Sequence, residues 1–246
     1  MPTDAGARDA QARDALPPDA QRVAGALSAI PLFQVLGEDG IRATARAGST
    51  RKYAAGQIIC YQGDPGDRLY VVVNGLVKVV FTSERGDEMV LNTLGHREIF
   101  GELALLDGSP RSASVVAVEP TYLFMLLRTR LLELMRQHPR LADEFLRLLG
   151  QRVRRLTEQA GDLAFLDLAA RLAKLLLQLA EKYGGAQDGV LDRRLTQSDL
   201  AAMIGASRPA VNRALQSLAA RGLVSVHGHT IKLLDIAGLR KRAELS

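Results

Sequence analysis

From Tyr53 to Leu127 the apolar residues fall in short, β-branched runs separated by turn residues, a pattern that reads as a series of strands. The clearest is YVVVNGLVKVVF, where two Val-rich segments flank Asn74-Gly75, the dipeptide suited to a type I′ hairpin. Further turns are marked by GDPGD at 63–67, RGD at 85–87, DGSP at 107–110 and Glu119-Pro120. Many short strands with regular turns predict an antiparallel barrel or jelly roll. Beyond residue 130 the period changes. Ala142, Leu146, Leu149, Val153, Leu156, Ala160 and Leu163 alternate spacings of four and three, a heptad seam. Two readings of that seam stand side by side. It pairs with the same helix of a second copy, or it lies against its own domain, where a wider stripe is usual and Phe145 and Leu148 widen the start. Arg147, Arg152, Arg154 and Arg155 flank the seam and are expected on its solvated sides.

A second helix is predicted from about Leu168 to Tyr183, stopped by Gly184-Gly185. After a loop, Thr196 followed three residues later by Asp199 reads as an N-cap with an acidic first turn. That helix, over 197–204, stops at Gly205. Ser207 then caps another, with Pro209 in the first turn, where its missing N–H costs little, and Gly222 closes it. Two short helices joined by a Gly-containing turn form a helix-turn-helix unit. VSVHGHTIKLL follows, alternating around His227-Gly228-His229 as a β-wing.

Composition changes the picture in three places. The 246 residues are 47% hydrophobic and 24% charged, a globular balance sized for one or two domains. The net charge of +5 is unevenly placed: residues 1–163 hold 20 Lys and Arg against 20 Asp and Glu, and the last third holds 12 against 7. A local basic excess fits a polyanion, although a solvated surface with extra arginines would read the same way. A single cysteine, Cys60, excludes a disulfide framework and multi-cysteine zinc or iron–sulfur sites. No apolar run reaches the roughly 18–20 residues of a membrane span, and the Ala- and Asp-rich start lacks the apolar centre of a signal peptide. The expectation is an α+β protein, soluble and cytoplasmic, working at the nucleoid. Its expected parts are a poorly ordered leader at 1–22, an antiparallel β jelly-roll domain at 23–129, a long helix at 130–163 and a winged helix-turn-helix domain at 164–246.

The order of barrel, long helix and winged helix-turn-helix resembles the cyclic-AMP receptor protein and fumarate–nitrate regulator (Crp/Fnr) superfamily of bacterial transcription factors. The resemblance covers roughly residues 25–235 and rests on FGELALLDGSPRSASVVA (100–117), GDLAFLDLAARLAKLLLQLA (161–180) and LTQSDLAAMIGASRPAVNRAL (195–215). It implies a homodimer that binds a cyclic nucleotide, cyclic AMP first and cyclic GMP second, together with double-stranded DNA and RNA polymerase. In the first segment it implies that Gly101 brings a backbone N–H close, Glu102 accepts the ribose hydroxyl, and Arg111, helped by Ser112, pairs with the phosphate. Guanidinium suits that task, because its planar donors make charge-assisted bonds to phosphate. An internal Arg111–Glu102 ion pair in a ligand-free barrel is the other reading. On the long helix the family's base contacts fall on Leu156 and Thr157. Leu156 has no polar atom, which loosens base selection while strengthening the seam. In the last segment Arg208 and Arg213 match base-contacting positions, and Ser207 a phosphate contact. Asn212 either reaches DNA or is a surface helix residue. Pro209 stands where relatives often carry a glutamate that accepts from cytosine, so the operator is expected to depart from the best-known consensus there.

Other chemistries find no support in the chain. Cys60 follows an apolar run and reads as a buried thiol. His96, His138, His227 and His229 lack metal-ligand spacing, and no G-x-S-x-G or P-loop is present. Neither a metal, a haem nor an iron–sulfur cluster is expected, and Tyr53, Tyr61 and Tyr70 read as barrel core or rim. Two rivals remain: a ligand-independent DNA binder with the barrel as scaffold, and a nucleotide-gated regulatory subunit of an enzyme.

Overall fold

The computed structural model describes residues 16–183, 190–191, 196–227 and 230–244. The expectations for residues 1–15, for the Gly184-Gly185 stop and for Gly228-His229 at the wing tip lie outside these. Two compact units emerge. The first runs to Val79 and resumes over Thr93–Leu149; the second takes Val80–Asn92 and continues from Gly150.

The first unit opens with three helices, α1 (Pro18–Ser28), α2 (Pro31–Gln34) and α3 (Gly37–Ala47). Helix α1 begins inside the stretch expected as a leader. Pro18 supplies a preset first turn, Asp19 an acidic one, and Val23, Ala26 and Leu27 a buried face. The strands follow: β1 (Ser49–Tyr53), β2 (Ile58–Cys60), β3 (Arg68–Asn74), β4 (Val77–Thr82), β5 (Glu88–Leu94), β6 (Ile99–Phe100), β7 (Ser114–Ala117) and β8 (Thr121–Leu127). A short helix, α4 (Glu102–Asp107), interrupts them after β6. One sheet has the order β1-β8-β3-β6 and the other β2-β7-β4-β5.

Period-two alternation explains the packing. On β3 and β8, Leu69, Val71, Phe124 and Leu126 join a core that includes Val23, Leu27 and Phe33 from the helices. Their neighbours Tyr70, Val72, Leu123 and Met125 point the other way and meet Tyr53, Cys60, Val77, Phe100 and Val115 between the sheets. Both strands are buried on both faces, so they read as continuous apolar runs. The expected type I′ hairpin at Asn74-Gly75 is not formed. A type I′ turn needs positive φ at both central residues, and here only Gly75 has it, at +100°. Strands β3 and β4 lie in different sheets, and the chain turns a corner between them. A Cβ on Gly75 would lie 2.5 Å from Thr121 Oγ1, so this corner admits only glycine.

Helices α5 (Arg128–Gln137) and α6 (Pro139–Phe165) follow, with Leu131, Leu134, Leu141 and Phe145 completing the helical side of the first core. The second unit contains α7 (Leu168–Tyr183), β9 (Val190–Leu191), α8 (Gln197–Met203), α9 (Arg208–Ala220), β10 (Val224–His227), β11 (Thr230–Leu233) and α10 (Ile236–Glu244). Its own core gathers Leu172 and Leu176 of α7, Leu200 of α8, Val211, Leu215 and Leu218 of α9, and Leu239 of α10. The wing forms as expected: β10 pairs antiparallel with β11, and β11 with β9. No helix among the described residues is long and apolar enough to cross a membrane.

Candidate effector and nucleic-acid sites

The residues singled out in 100–117 come together around one buried guanidinium. Strand β6 delivers the chain to Gly101, whose φ of +83° turns it into α4. Arg111, on the loop before β7, is only 5% exposed. Its Nη1 donates to Gly101 O at 2.8 Å and its Nη2 to Arg68 O at 2.7 Å. A Cβ on Gly101 would lie 2.4 Å from Nη1, so glycine is required by space as well as by φ. The loop is pinned at its own backbone, with Arg111 N donating to Asp64 O and Gly63 N to Arg111 O, each at 2.8 Å. Arg111 also lies over the Tyr70 ring, 5.4 Å from its centroid, and that ring stacks on Phe100 at 4.7 Å. Glu102 is buried at the start of α4, while Ser112 is exposed.

Electrostatically the arrangement around Arg111 suits an anion. Carbonyls orient a guanidinium but do not neutralise it, and a buried cation is costly until a counter-charge arrives. Arg111 Nε is buried and makes no hydrogen bond. Burial pushes the Tyr70 hydroxyl up from its ordinary pKa, against the opposing pull of Arg111, so the phenol stays neutral. Burial also pushes the Cys60 thiol up; it is a protonated core group rather than a reactive thiolate. Two contributors escaped the sequence reading. Arg68 acts through its carbonyl, which no side-chain pattern reveals, and Tyr70 was read only as barrel core or rim.

On α6 the seam residues present a bare apolar face. Leu146, Val153, Leu156 and Leu163 are 67%, 62%, 56% and 48% exposed, whereas Leu149 is half-buried and packs against the first core. Thr157 is exposed and its hydroxyl donates to Val153 O at 3.0 Å.

In the second unit Thr196 and Asp199 form a reciprocal capping box at the start of α8: Thr196 Oγ1 accepts from Asp199 N, and Asp199 Oδ2 from Thr196 N. Arg171 Nη1 donates to Ile204 O and fixes the other end of that helix to α7. Ser207 caps α9, accepting from Ala210 N, with Pro209 in the first turn. Backbone hydrogen bonding to Ala170 N holds the Asp167 carboxyl below its usual range, and Arg242 of α10 adds to this as its ion-pair partner. Val211, Ala214, Leu215 and Leu218 occupy the inner face of α9, leaving Arg208, Pro209, Arg213 and Gln216 exposed. Asn212 is half-buried, and its Nδ2 donates to Gln197 Oε1 on α8 at 3.1 Å. Gln197 was not singled out from the sequence.

Comparison with known proteins follows the same division. Residues 50–138 match the family model of the cyclic nucleotide-binding domain, and residues 170–242 that of the Crp-like helix-turn-helix domain. The chain is 33% identical over 214 residues to the CRP-like cAMP-activated global transcriptional regulator of Mycobacterium tuberculosis, covering 86% of this chain and 96% of that one. Over 213 residues it is 36% identical to the Cyclic AMP receptor protein of Thermus thermophilus, with 87% and 96% covered. The structure of the c-di-GMP responsive global regulator CLP of Xanthomonas campestris is similar, with a TM-score of 0.69, 26% identity, and 77% of this chain and 95% of that one covered. The relatives are regulators of transcription, not enzymes, and so is this protein. With a cyclic nucleotide-binding domain ahead of a DNA-binding helix-turn-helix, the chain belongs to the Crp/Fnr family of transcription regulators.

Proposed function

We propose that the protein works as a homodimer that takes up cyclic AMP at Arg111 and then binds an inverted-repeat operator through α9, contacting RNA polymerase from that position. The observation that carries this reading is the buried Arg111 guanidinium, held by two carbonyls with its Nε unpaired. A cyclic phosphodiester supplies the missing single negative charge, and the Gly101 turn keeps side chains out of its way. Glu102 is assigned to the ribose hydroxyl and Ser112 to the phosphate. Base selection, assigned to Leu156 and Thr157, is the weak part of the recognition, since Leu156 offers no polar atom; cyclic GMP is the rival effector. The α6 stripe of Leu146, Leu149, Val153, Leu156, Ala160 and Leu163, exposed except at the half-buried Leu149, is assigned to the two-fold seam, and Ser207, Arg208, Asn212 and Arg213 to DNA. Of the division at 22, 129 and 163 expected from the sequence, the boundaries at 129 and 163 are retained as the functional ones; the first moves ahead of α1, which starts at Pro18, and the helix expected over 130–163 is broken at His138 into α5 and α6.

Binding of a randomised DNA pool, measured with no nucleotide, with cyclic AMP and with cyclic GMP, tests the proposal. The expected result is an inverted repeat selected far more tightly with cyclic AMP. Equal selection in all three conditions would instead favour a ligand-independent binder with the barrel as scaffold. No selection under any condition would overturn the operator reading.

A further inference from the structure

The two helices of the helix-turn-helix are bridged by a pair of side-chain amides, Asn212 on α9 and Gln197, the first residue of α8. Each amide owns two N–H donors and one carbonyl with two lone pairs. Their mutual bond consumes one N–H of Asn212 and one lone pair of Gln197. What remains differs between the two. Asn212 keeps a carbonyl acceptor beside one N–H donor on the same plane, while Gln197 keeps both of its N–H donors.

These remainders match two different parts of DNA. In the major groove adenine presents an N6–H donor next to the N7 acceptor, the complement of an acceptor–donor pair on one amide. A phosphate oxygen accepts only, and suits the two donors of Gln197. Asn212 lies one helical turn beyond Arg208 and directly before Arg213, so it is in register with the exposed arginines. An asparagine amide left to rotate would present its donor and acceptor in either order; with Asn212 Nδ2 donating to Gln197 Oε1, the remaining carbonyl and N–H keep one order. We infer that Asn212 reads an adenine in each half-site, with Gln197 as its positioning residue and as a phosphate contact. The inference rests on the reading of α9 as the operator-binding helix, and adds to it a base and a residue.

The experiment is a randomised-site selection on the full chain with cyclic AMP, comparing wild type with Asn212→Ala and Gln197→Glu. The wild type should select adenine at one position per half-site. Asn212→Ala should lose that preference, a discrimination of roughly five- to hundred-fold, while the guanine positions persist. Gln197→Glu keeps a carboxylate oxygen for Asn212 but no donor for phosphate. It should therefore retain the adenine preference while binding every sequence more weakly. A structural clamp alone would make both variants lower affinity for all sequences alike, and that outcome would overturn the inference. So would an Asn212→Ala protein with unchanged adenine preference, even where the wild type selects an operator normally. A wild type that selects no sequence would bring down the operator reading first, and this inference with it.

Discussion

Arg111 is held by two carbonyls while its Nε stays unbonded, and that difference governs what its removal does. Its two carbonyl bonds tie Gly101 to Arg68, so Arg111→Ala strips both acceptors of that donor at a cost of about 1–3 kcal/mol, while the apolar cores on either face of β3 and β8 are untouched. The ligand loses a charge-assisted pair worth about 2–5 kcal/mol, and calorimetry should find cyclic-AMP binding abolished in a protein that still melts cooperatively. Gly101→Ala acts differently. Its Cβ would lie 2.4 Å from Arg111 Nη1 at a φ of +83°, so the guanidinium must move and the backbone is strained. A left-handed alanine costs about 1–2 kcal/mol; both the melting temperature and the nucleotide affinity should fall. Wild-type affinity in either variant would remove Arg111 from the effector site. At this scale Gly101, Glu102 and Arg111 stood out in the sequence because a side chain, or the lack of one, carries the chemistry proposed for each. Arg68 O and Tyr70 did not, because a carbonyl is anonymous in sequence and a strand tyrosine looks like any other core residue.

Elements were legible to the extent that their period depends on neighbours close in sequence. The capping box at Thr196, the Ser207 cap and the heptad stripe of α6 are local, and each is present. The Asn74-Gly75 turn misled, because both flanking strands are Val-rich and their partners are chosen elsewhere in the chain. Strand β3 pairs with β8, about fifty residues on in sequence, through a register running from Arg68↔Leu127 to Asn74↔Tyr122. Nothing local records that choice. The α6 stripe leaves Leu146, Val153 and Leu156 in solvent in the single chain, an arrangement a second copy would relieve. If α6 forms the proposed seam, Leu149→Lys or Leu156→Lys sets like charges across its two-fold axis and removes an apolar contact. Sedimentation should shift toward monomer and operator binding should weaken sharply, since each monomer would hold only one half-site. A dimer unchanged in both variants would place the subunit contact on another surface.

Over the whole molecule, the charge is balanced through residue 163 and basic beyond it, in the stretch that carries the helix-turn-helix and the exposed arginines of α9. A two-fold dimer with one α9 per subunit calls for an inverted repeat with half-sites roughly 34 Å apart, one turn of the duplex. Within each half-site Arg208 and Arg213 are five residues apart. At about 100° per residue they point about 140° from each other around the helix, so they address different base steps. Arginine pairs with guanine O6 and N7 together, and Arg213→Ala should cost about 1–3 kcal/mol per half-site and relax guanine preference at one position in each. Lys232 on β11 and Arg221 after α9 are exposed at the flank of the same unit. Contacts there would reach phosphates, which carry charge but no sequence. Lys232→Ala or Arg221→Ala should therefore weaken all sequences alike and make the salt dependence shallower by about one counterion. The two classes separate in a single set of measurements, affinity against salt for a cognate and a scrambled site. Arg213→Ala must narrow the gap between the two sites, whereas Lys232→Ala must lower both and leave the gap. If Arg213→Ala kept its guanine preference and affinity, α9 would not be the helix that enters the major groove, whatever the basic excess around it.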